Sequence, residues 1–230
     1  MARMALTFVG FMTKQRSVMS SALISSRIRK ARGQGATRRA EILNAAQRLF
    51  LEQGFEHTTM RRLAEAVGVS ATALYVYFAD KDAILRAIAE MTFTEMLATL
   101  EASQRTEVTA LERFRAGLHA YVAFGRAHPD AYRLTFLAKM MASAAPGRRT
   151  LDCTEFDAAD RSFAILERGV LELMQAGQFR PGDPLLVAEA LWASLHGVTA
   201  LLIDMPHNLE SAPDLLVNSV LDTAIRGLSA

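Results

Sequence analysis

The 230-residue sequence contains one cysteine, Cys153, and six prolines, and each shortage excludes a class of structure. A single cysteine cannot form an internal disulfide, so the chain is not a disulfide-stabilised scaffold and suits a reducing compartment. Few prolines, together with the lack of long alternating β-branched runs, argue against a protein built from strands. We therefore predict an all-α protein and expect it to be cytoplasmic.

Long uncharged apolar runs are missing as well. No charge-free apolar stretch reaches the length of about eighteen residues that a membrane-spanning helix needs, so we predict no transmembrane segment and no membrane partner. Residues 4–12 are apolar, but Lys14 and Arg16 follow the run closely, which argues against a signal peptide.

Sequence motifs of catalysis and metal binding are also lacking. The five histidines are scattered and no pair shows His-x-x-x-His spacing. There is neither a glycine-rich phosphate loop nor a Gly-x-Ser-x-Gly motif. We predict that the protein is not an enzyme, and that it has no catalytic residues, no metal site and no cofactor.

Acidic residues are absent from the first forty positions, which contain nine lysines and arginines. The net charge of the whole chain is only +2, so the positive charge is concentrated at the N-terminal end. Such a basic segment is typical of proteins that contact phosphates. We expect residues 1–36 to form a flexible basic arm. Its role is open between contact with DNA and an unstructured extension from an over-extended start site.

Residues 58–81 show the pattern of two short helices joined by a tight turn. Thr59 is a predicted N-cap of the first helix, Gly68 permits the positive φ of the turn, and Ser70 is a predicted N-cap of the second helix. This layout is a helix-turn-helix, whose second helix enters the major groove of DNA. The same layout also occurs in structural helix pairs, so the turn alone leaves both interpretations open.

A longer pattern around this turn resembles the DNA-binding domain of TetR-family transcriptional regulators. It consists of RAEILNAAQRLFLEQGF at 39–55, TTMRRLA at 58–64, GVS at 68–70, LYVYF at 74–78 and KDAIL at 81–85, in this order and spacing. The resemblance implies a three-helix DNA-binding head at residues 37–83. It also implies a helical effector-binding and dimerisation body at residues 84–230. HPDAYRL at 128–134 and WASLHGV at 192–198 look like a C-terminal domain type of some members, marked by Trp, His and Gly on one helix.

The resemblance also implies which side chains contact DNA. Arg61 takes a position from which a base edge can be reached, and Thr72 is the one hydrogen-bonding side chain among three groove-facing positions. We therefore expect Arg61 and methyl contacts with thymine to account for most direct readout. The phosphate-facing positions are Thr59, Tyr75, Tyr77 and Lys81. The full set of candidates is Thr59, Arg61, Ser70, Ala71, Thr72, Ala73, Tyr75, Tyr77 and Lys81.

Apolar residues at helical spacing predict a first helix in the head and six helices from residue 81 onwards. The predicted bounds are 37–52, then 81–103, 110–127, 129–141, 157–176, 185–203 and 212–228, with a loop at 142–156. The 185–203 segment is apolar nearly all round, so we expect it to be buried on every side. We predict that the last two helices pair with their copies across a two-fold axis in a homodimer.

An effector would lie in the body, where aromatic and methionine side chains are candidates to line a cavity for a mostly apolar small molecule. The alternative for each of these side chains is ordinary core packing. Trp192 and His196 are one turn apart and share a helix face. The candidates are Phe93, Met96, Leu97, Leu118, Tyr121, Met140, Phe163, Leu166, Trp192 and His196.

Together these features predict a homodimeric DNA-binding transcriptional regulator. We expect a repressor that a small, mostly apolar ligand releases from a pseudo-palindromic double-stranded operator. The alternative is a helical DNA-binding protein without an effector, which acts constitutively or is switched by a protein partner.

Overall fold

The computed structural model describes residues 35–104, 108–144 and 157–230, with residues 137–144 described by their backbone only. Within these ranges the chain forms nine α-helices, one short 3₁₀ helix and no strand, so the predicted all-α fold is confirmed. The helices are α1 (35–53), α2 (Met60–Val67), α3 (Ala71–Tyr75), α4 (Lys81–Ser103), α5 (Ala110–Ala127), α6 (Pro129–Ala144), α7 (Asp157–Gln175), α8 (Pro184–Asp204) and α9 (Pro213–Leu228).

The predicted helix bounds differ from these at a few ends. Helix α1 begins two residues earlier than expected, so the end of the predicted arm is helical, while residues 1–34 lie outside the described part of the chain. Helix α6 continues three residues into the predicted loop, and residues 145–156 of that loop also lie outside the description.

Side-chain caps start the helices of the head where the sequence predicts them. Thr59 Oγ1 accepts from the backbone N–H of Arg62 at 3.3 Å and starts α2. Ser70 Oγ accepts from the N–H of Ala73 at 3.1 Å and starts α3. Between them the chain turns at Gly68, whose φ of 72° lies in the left-handed region that favours glycine. The two helices are thus held in a helix-turn-helix by local hydrogen bonds.

Several side chains of the head belong to the apolar core, which continues from the head into the body. On α1, Ile42 and Phe50 are buried, and the Phe50 ring lies 5.0 Å from that of Phe55 between ring centroids. Leu63 of α2 and Leu74 of α3 are fully buried beneath the turn. This core fixes α3 relative to α1 and α2, so the recognition helix is positioned by packing.

Helix α4 leaves the head and packs against α5, α6 and α7 in the body. Its N-cap is Asp80, whose carboxylate accepts from the N–H of Ala83 at 2.6 Å. Helix α5 packs in turn on α7, α8 and α9, and α8 packs on α7 and α9. The body is therefore one helical bundle entered from the head by a single continuous helix.

The prediction that α8 is buried on every side is wrong for the single chain. Leu195 and Val198 are buried against the bundle, but Leu186 and Leu201 are 62% and 42% exposed. The helices α5, α7 and α9, which pack on α8, leave these two leucines uncovered. On the neighbouring α9, Leu215 is 68% exposed, and we refer to Leu186, Leu201 and Leu215 together as the exposed apolar strip.

Helix α8 has the composition of a possible membrane span, although the sequence predicts no transmembrane segment. Within the described residues, α8 is long and apolar enough to cross a membrane by length and composition. Its carboxylates, Glu189 and Asp204, kept it outside a criterion that required a charge-free run. In the bundle, its buried face packs on other helices of the chain.

Helices α5 and α8 approach most tightly at Gly125. A Cβ atom at this position would lie 2.4 Å from Cγ2 of Thr199 and 3.1 Å from the Tyr132 ring, and all three residues are buried. We expect Gly125→Ala to lower the free energy of unfolding by about 1–3 kcal/mol through overpacking, measured by urea denaturation at fixed protein concentration.

Gly227→Ala is the matched control, because a Cβ atom there meets nothing within 4 Å. It should leave the stability unchanged or raise it slightly, since alanine has the higher helix propensity. Equal stability of the two variants would contradict the close approach of α5 and α8.

Candidate DNA interface and effector cavity

The candidate DNA interface lies on the outer side of α2 and α3. Arg61 extends its side chain into solvent with 86% of it exposed, and its Nε donates to Glu65 Oε1 at 3.0 Å. Thr72 is exposed and Tyr75 is 54% exposed, whereas Leu74 between them is fully buried. The helix-turn-helix therefore presents Arg61, Thr72 and Tyr75 outwards while its inner side holds the core.

The other candidates differ in exposure. Thr59 and Ser70 are exposed caps, and Ala71 and Ala73 are half-buried in the first turn of α3. One residue outside the candidate set lies on the same surface: Val76 directly follows α3 and is 80% exposed. An apolar side chain in the LYVYF pattern reads as core from sequence, so periodicity did not mark Val76 as a surface residue.

Tyr77 is half-buried beside a small cavity of about 280 Å³ between the end of α3 and α4. Arg39 of α1 and Arg86 of α4 also line this cavity. The Arg39 guanidinium lies 5.0 Å from the centroid of the Phe78 ring, at cation–π distance. Arg39 therefore links α1 to the segment that follows the recognition helix.

Lys81, the first residue of α4, has partners inside the head. Its Nζ donates to the carbonyl oxygens of Phe55 at 2.9 Å and Glu56 at 3.3 Å, and lies 4.3 Å from the centroid of the Phe55 ring. The Glu56 carboxylate is 3.6 Å away. Only 26% of the Lys81 side chain is exposed, so it ties the start of α4 to the α1–α2 loop. The predicted phosphate contact of Lys81 stays a prediction.

The body encloses a cavity of about 570 Å³ between α4, α5, α7 and α8, with Phe136 of α6 at its edge. This volume lies within the range of small-molecule sites, about 300–1,000 Å³. Leu97 and His196 do not line the cavity, and the side chain of Met140 lies outside the described residues. The other candidates all line it: Phe93, Met96, Leu118, Tyr121, Phe163, Leu166 and Trp192.

A chain of hydrogen bonds runs from the cavity wall into α8. The Tyr121 and Tyr132 hydroxyls are 3.0 Å apart, and the Tyr132 hydroxyl lies 2.6 Å from Nδ1 of His196. Burial raises the pKa of both tyrosines above its ordinary value, and the nearby Tyr121 raises that of Tyr132 further. Both hydroxyls therefore stay protonated.

His196 contacts two aromatic side chains that line the cavity. Its ring centroid lies 4.1 Å from that of Phe136 and 5.9 Å from that of Trp192, and both of these rings line the cavity. Sequence placed His196 and Trp192 on one helix face, but the contact with Tyr132 spans 64 residues and has no local signal. His196 therefore supports the cavity wall from behind.

Charged side chains lie along one part of the cavity wall. Arg113 is the one basic residue in the described lining, and its Nη2 is 2.5 Å from Oε1 of Glu172. Asp160, Glu167 and Glu189 also line the cavity, and within the described part of the chain none of the three forms an ion pair. The same part contains no group of three or more side chains that could hold a metal ion.

Comparison with known proteins identifies the family. The sequence model of bacterial regulatory proteins of the tetR family matches residues 42–88, and that of the tetracyclin repressor-like C-terminal domain matches residues 114–224. The nucleoid occlusion factor SlmA of Haemophilus influenzae (strain PittGG) is 32% identical over 164 residues, covering 70% of this chain and 71% of SlmA. The chain belongs to the TetR family.

Two further proteins resemble this chain over most of their length. The HTH-type transcriptional regulator HbdR of Aromatoleum sp. (strain CIB) is 29% identical over 194 residues, covering 80% of this chain and 81% of HbdR. AibR, solved in complex with isovaleryl coenzyme A and operator DNA, superposes with a TM-score of 0.64. It is 19% identical, and the match covers 81% of this chain and 97% of AibR.

TetR-family proteins are DNA-binding transcription regulators that bind operators, respond to small-molecule ligands and act as dimers. The first matched segment contains most of α1, all of α2 and α3, and the start of α4. The second runs from α5 into α9. The helix-turn-helix thus belongs to the DNA-binding head of a TetR-family protein and the cavity to its body.

Arg61 and Lys81 should respond differently to substitution. Arg61→Ala should weaken operator binding by about tenfold and relax the preference at one base pair, if Arg61 contacts a base edge as the sequence predicts. Its midpoint of unfolding should not change, because an exposed ion pair contributes at most about 1 kcal/mol.

Lys81→Met keeps the aliphatic stem and should lower the free energy of unfolding by about 1–3 kcal/mol, since the loop carbonyls lose a charged donor.

Fluorescence anisotropy on operator variants measures the first effect, and thermal denaturation measures the second. An equal loss on every DNA sequence would demote Arg61 to a phosphate contact. An unchanged Tm for Lys81→Met would show that the ammonium group is not engaged in the loop.

Proposed function

We propose that this TetR-family protein is a cytoplasmic homodimeric repressor that a small, mostly apolar molecule releases from its operator. The observation that carries this proposal is the course of α4. Lys81 at its first turn is bound to the loop of the head, and Phe93, Met96 and Leu100 further along the same helix line the body cavity. Any displacement of α4 at the cavity is therefore transmitted to the base of the DNA-binding head.

The release mechanism needs a difference in ligand affinity between two arrangements of the heads. A ligand in the cavity would contact α4, α5, α7 and α8 at the same time, because all four helices line the cavity. If ligand binding is tighter in the arrangement that does not fit the operator, DNA is released. The coupling free energy required is on the order of 1–3 kcal/mol. AibR, which shares this fold, was solved in complex with both isovaleryl coenzyme A and operator DNA.

For the DNA-bound state we propose that Arg61 contacts a base edge and that Ala71, Thr72 and Ala73, which follow the Ser70 cap, face the major groove. Thr59, Tyr75 and Tyr77 would contact phosphates. The outward placement of Arg61, Thr72 and Tyr75 supports this assignment. Lys81 would contribute to DNA binding mainly by holding the loop that precedes α2.

The second candidate function is a DNA-binding protein that is constitutive or controlled by a protein partner. The similarity to SlmA favours it, because SlmA is named a nucleoid occlusion factor and not a transcriptional repressor. The cavity of about 570 Å³ favours the ligand-released repressor over this second function, since a body without an effector has no need of such a space.

The homodimer would form through the exposed apolar strip of α8 and α9. Leu201→Glu places a carboxylate on the strip of each protomer, so like charges meet across the two-fold axis. We expect the dimer dissociation constant to rise by about a hundredfold, measured by sedimentation velocity. Leu171→Glu is the control, because Leu171 of α7 is 41% exposed against 42% for Leu201 but lies off the strip. Equal weakening by both variants would argue against this interface.

DNase footprinting tests the function as a whole. Purified protein should protect a pseudo-palindrome in the DNA upstream of its own gene, with two half-sites about one helical turn apart. Protection should weaken at higher salt and disappear on addition of one member of a panel of apolar ligands. A protected site that no ligand alters would put the second candidate function ahead, and the absence of any protected site would contradict specific binding there.

A further inference from the structure

The cavity wall combines aromatic rings with carboxylates at helical spacing. On α7, Phe163 lies three residues after Asp160 and four before Glu167, and on α8 Trp192 lies three after Glu189. Side chains at these spacings are neighbours on one helix face. Each of the three unpaired carboxylates therefore lies one turn from an aromatic ring of the same wall.

These carboxylates mark the mouth of the cavity. Asp160 and Glu189 both line the cavity and are exposed, and Glu167 is half-buried. The rings of Phe93, Phe114 and Tyr121 are buried at the inner end. The cavity thus has an apolar aromatic interior and an acidic rim.

Positive charge in the wall is already neutralised. Among the described residues that line the cavity, Arg113 is the one basic residue, and Glu172 holds its guanidinium in an ion pair. With Glu172 assigned to Arg113, the remaining charge of the lining is that of Asp160, Glu167 and Glu189. The described lining of the cavity therefore carries a net negative charge.

We propose that the effector is a lipophilic cation, with an apolar body in the aromatic interior and a positive group at the rim. This inference deepens the proposed function and rests on it, since it names the chemical class of the releasing ligand. A cation would interact favourably with both the aromatic rings and the carboxylates of the wall, because ring faces attract positive charge and carboxylates pair with it. A neutral apolar molecule gains only from the interior. An anion is repelled at the mouth, where the described lining holds no basic group outside the Arg113–Glu172 pair.

The effect of ligand charge on binding is tested with three ligands that share a decyl chain and differ in charge. They are decyltrimethylammonium, 1-decanol and decanoate, each used at a concentration at which it does not aggregate. Trp192 is the one tryptophan of the chain and lines the cavity, so its emission reports occupancy directly. Titration calorimetry on the full-length dimer provides a second measurement. The operator located by footprinting serves for anisotropy measurements of DNA release.

We expect decyltrimethylammonium to bind about tenfold more tightly than 1-decanol, and decanoate to bind more weakly than either. The preference for the cation should shrink as salt is raised, because exposed charges are screened. The variant Asp160→Asn/Glu167→Gln/Glu189→Gln keeps the side-chain shapes and should bring cation affinity down to that of the alcohol. Its affinity for 1-decanol should not fall.

Glu210→Gln is the matched control, because Glu210 is an exposed carboxylate that does not line the cavity. It changes the net charge by one unit and should leave all three affinities unchanged. The comparison of the three ligands on the unmodified protein needs no variant, so the inference stays testable if the triple variant folds poorly.

The outcomes distinguish this inference from the function on which it rests. If 1-decanol or decanoate binds as tightly as the cation and releases DNA, ligand control stands and the cation class is wrong. If the cation binds most tightly and releases DNA, both are supported. If none of the three changes Trp192 emission or gives binding heat while the operator is bound, the cation class is overturned and the effector-free alternative gains.

Discussion

The structure depends on one helix whose buried side chains join the head to the body in a single apolar core. Helix α4 runs over 23 residues, or about 35 Å at 1.5 Å per residue, and is buried along much of its length. Ile84, Leu85 and Ile88 are buried at its head end, and Met96 and Leu100 face the cavity further along. A stiff helix packed at both ends cannot move at one end alone. The head and the body are therefore linked by a continuous apolar core as well as by the helix itself.

The cavity persists in a bundle that is otherwise tightly packed. Gly125 and Gly169 let α5 approach α8 and α7, since a Cβ atom at either glycine would lie less than 3 Å from a neighbouring side chain. At Gly169 that neighbour is Phe114, whose ring lines the cavity and rests against the backbone of α7. The aromatic wall is thus held in place by close contacts behind it. Rings supported in this way can border an open space without collapsing into it.

Local signals made the fold predictable, and long-range contacts limited the prediction of the site. Caps such as Thr59 and Ser70 depend on neighbours three residues away, so sequence placed α2 and α3 correctly. The partners of Lys81 lie 25 and 26 residues away, and no spacing rule indicates them. Met96 lines the cavity and Leu97 does not, although both are buried, because successive residues on a helix point in directions about 100° apart. Sequence gives the period of a helix but not the angle at which a cavity meets it.

The hydrogen-bond chain from Tyr121 to His196 determines whether the Tyr121 hydroxyl, which lies in the cavity wall, donates or accepts a hydrogen bond there. When Nδ1 of His196 is unprotonated, Tyr132 donates to it and Tyr121 donates to Tyr132. The Tyr121 oxygen, which also interacts with Trp192, can then only accept from a ligand. When Nδ1 carries a proton, every bond in the chain reverses, and the Tyr121 hydroxyl is free to donate into the cavity. The ring nitrogen of His196 that carries the proton thus decides whether the Tyr121 hydroxyl accepts from a ligand in the cavity or donates to it.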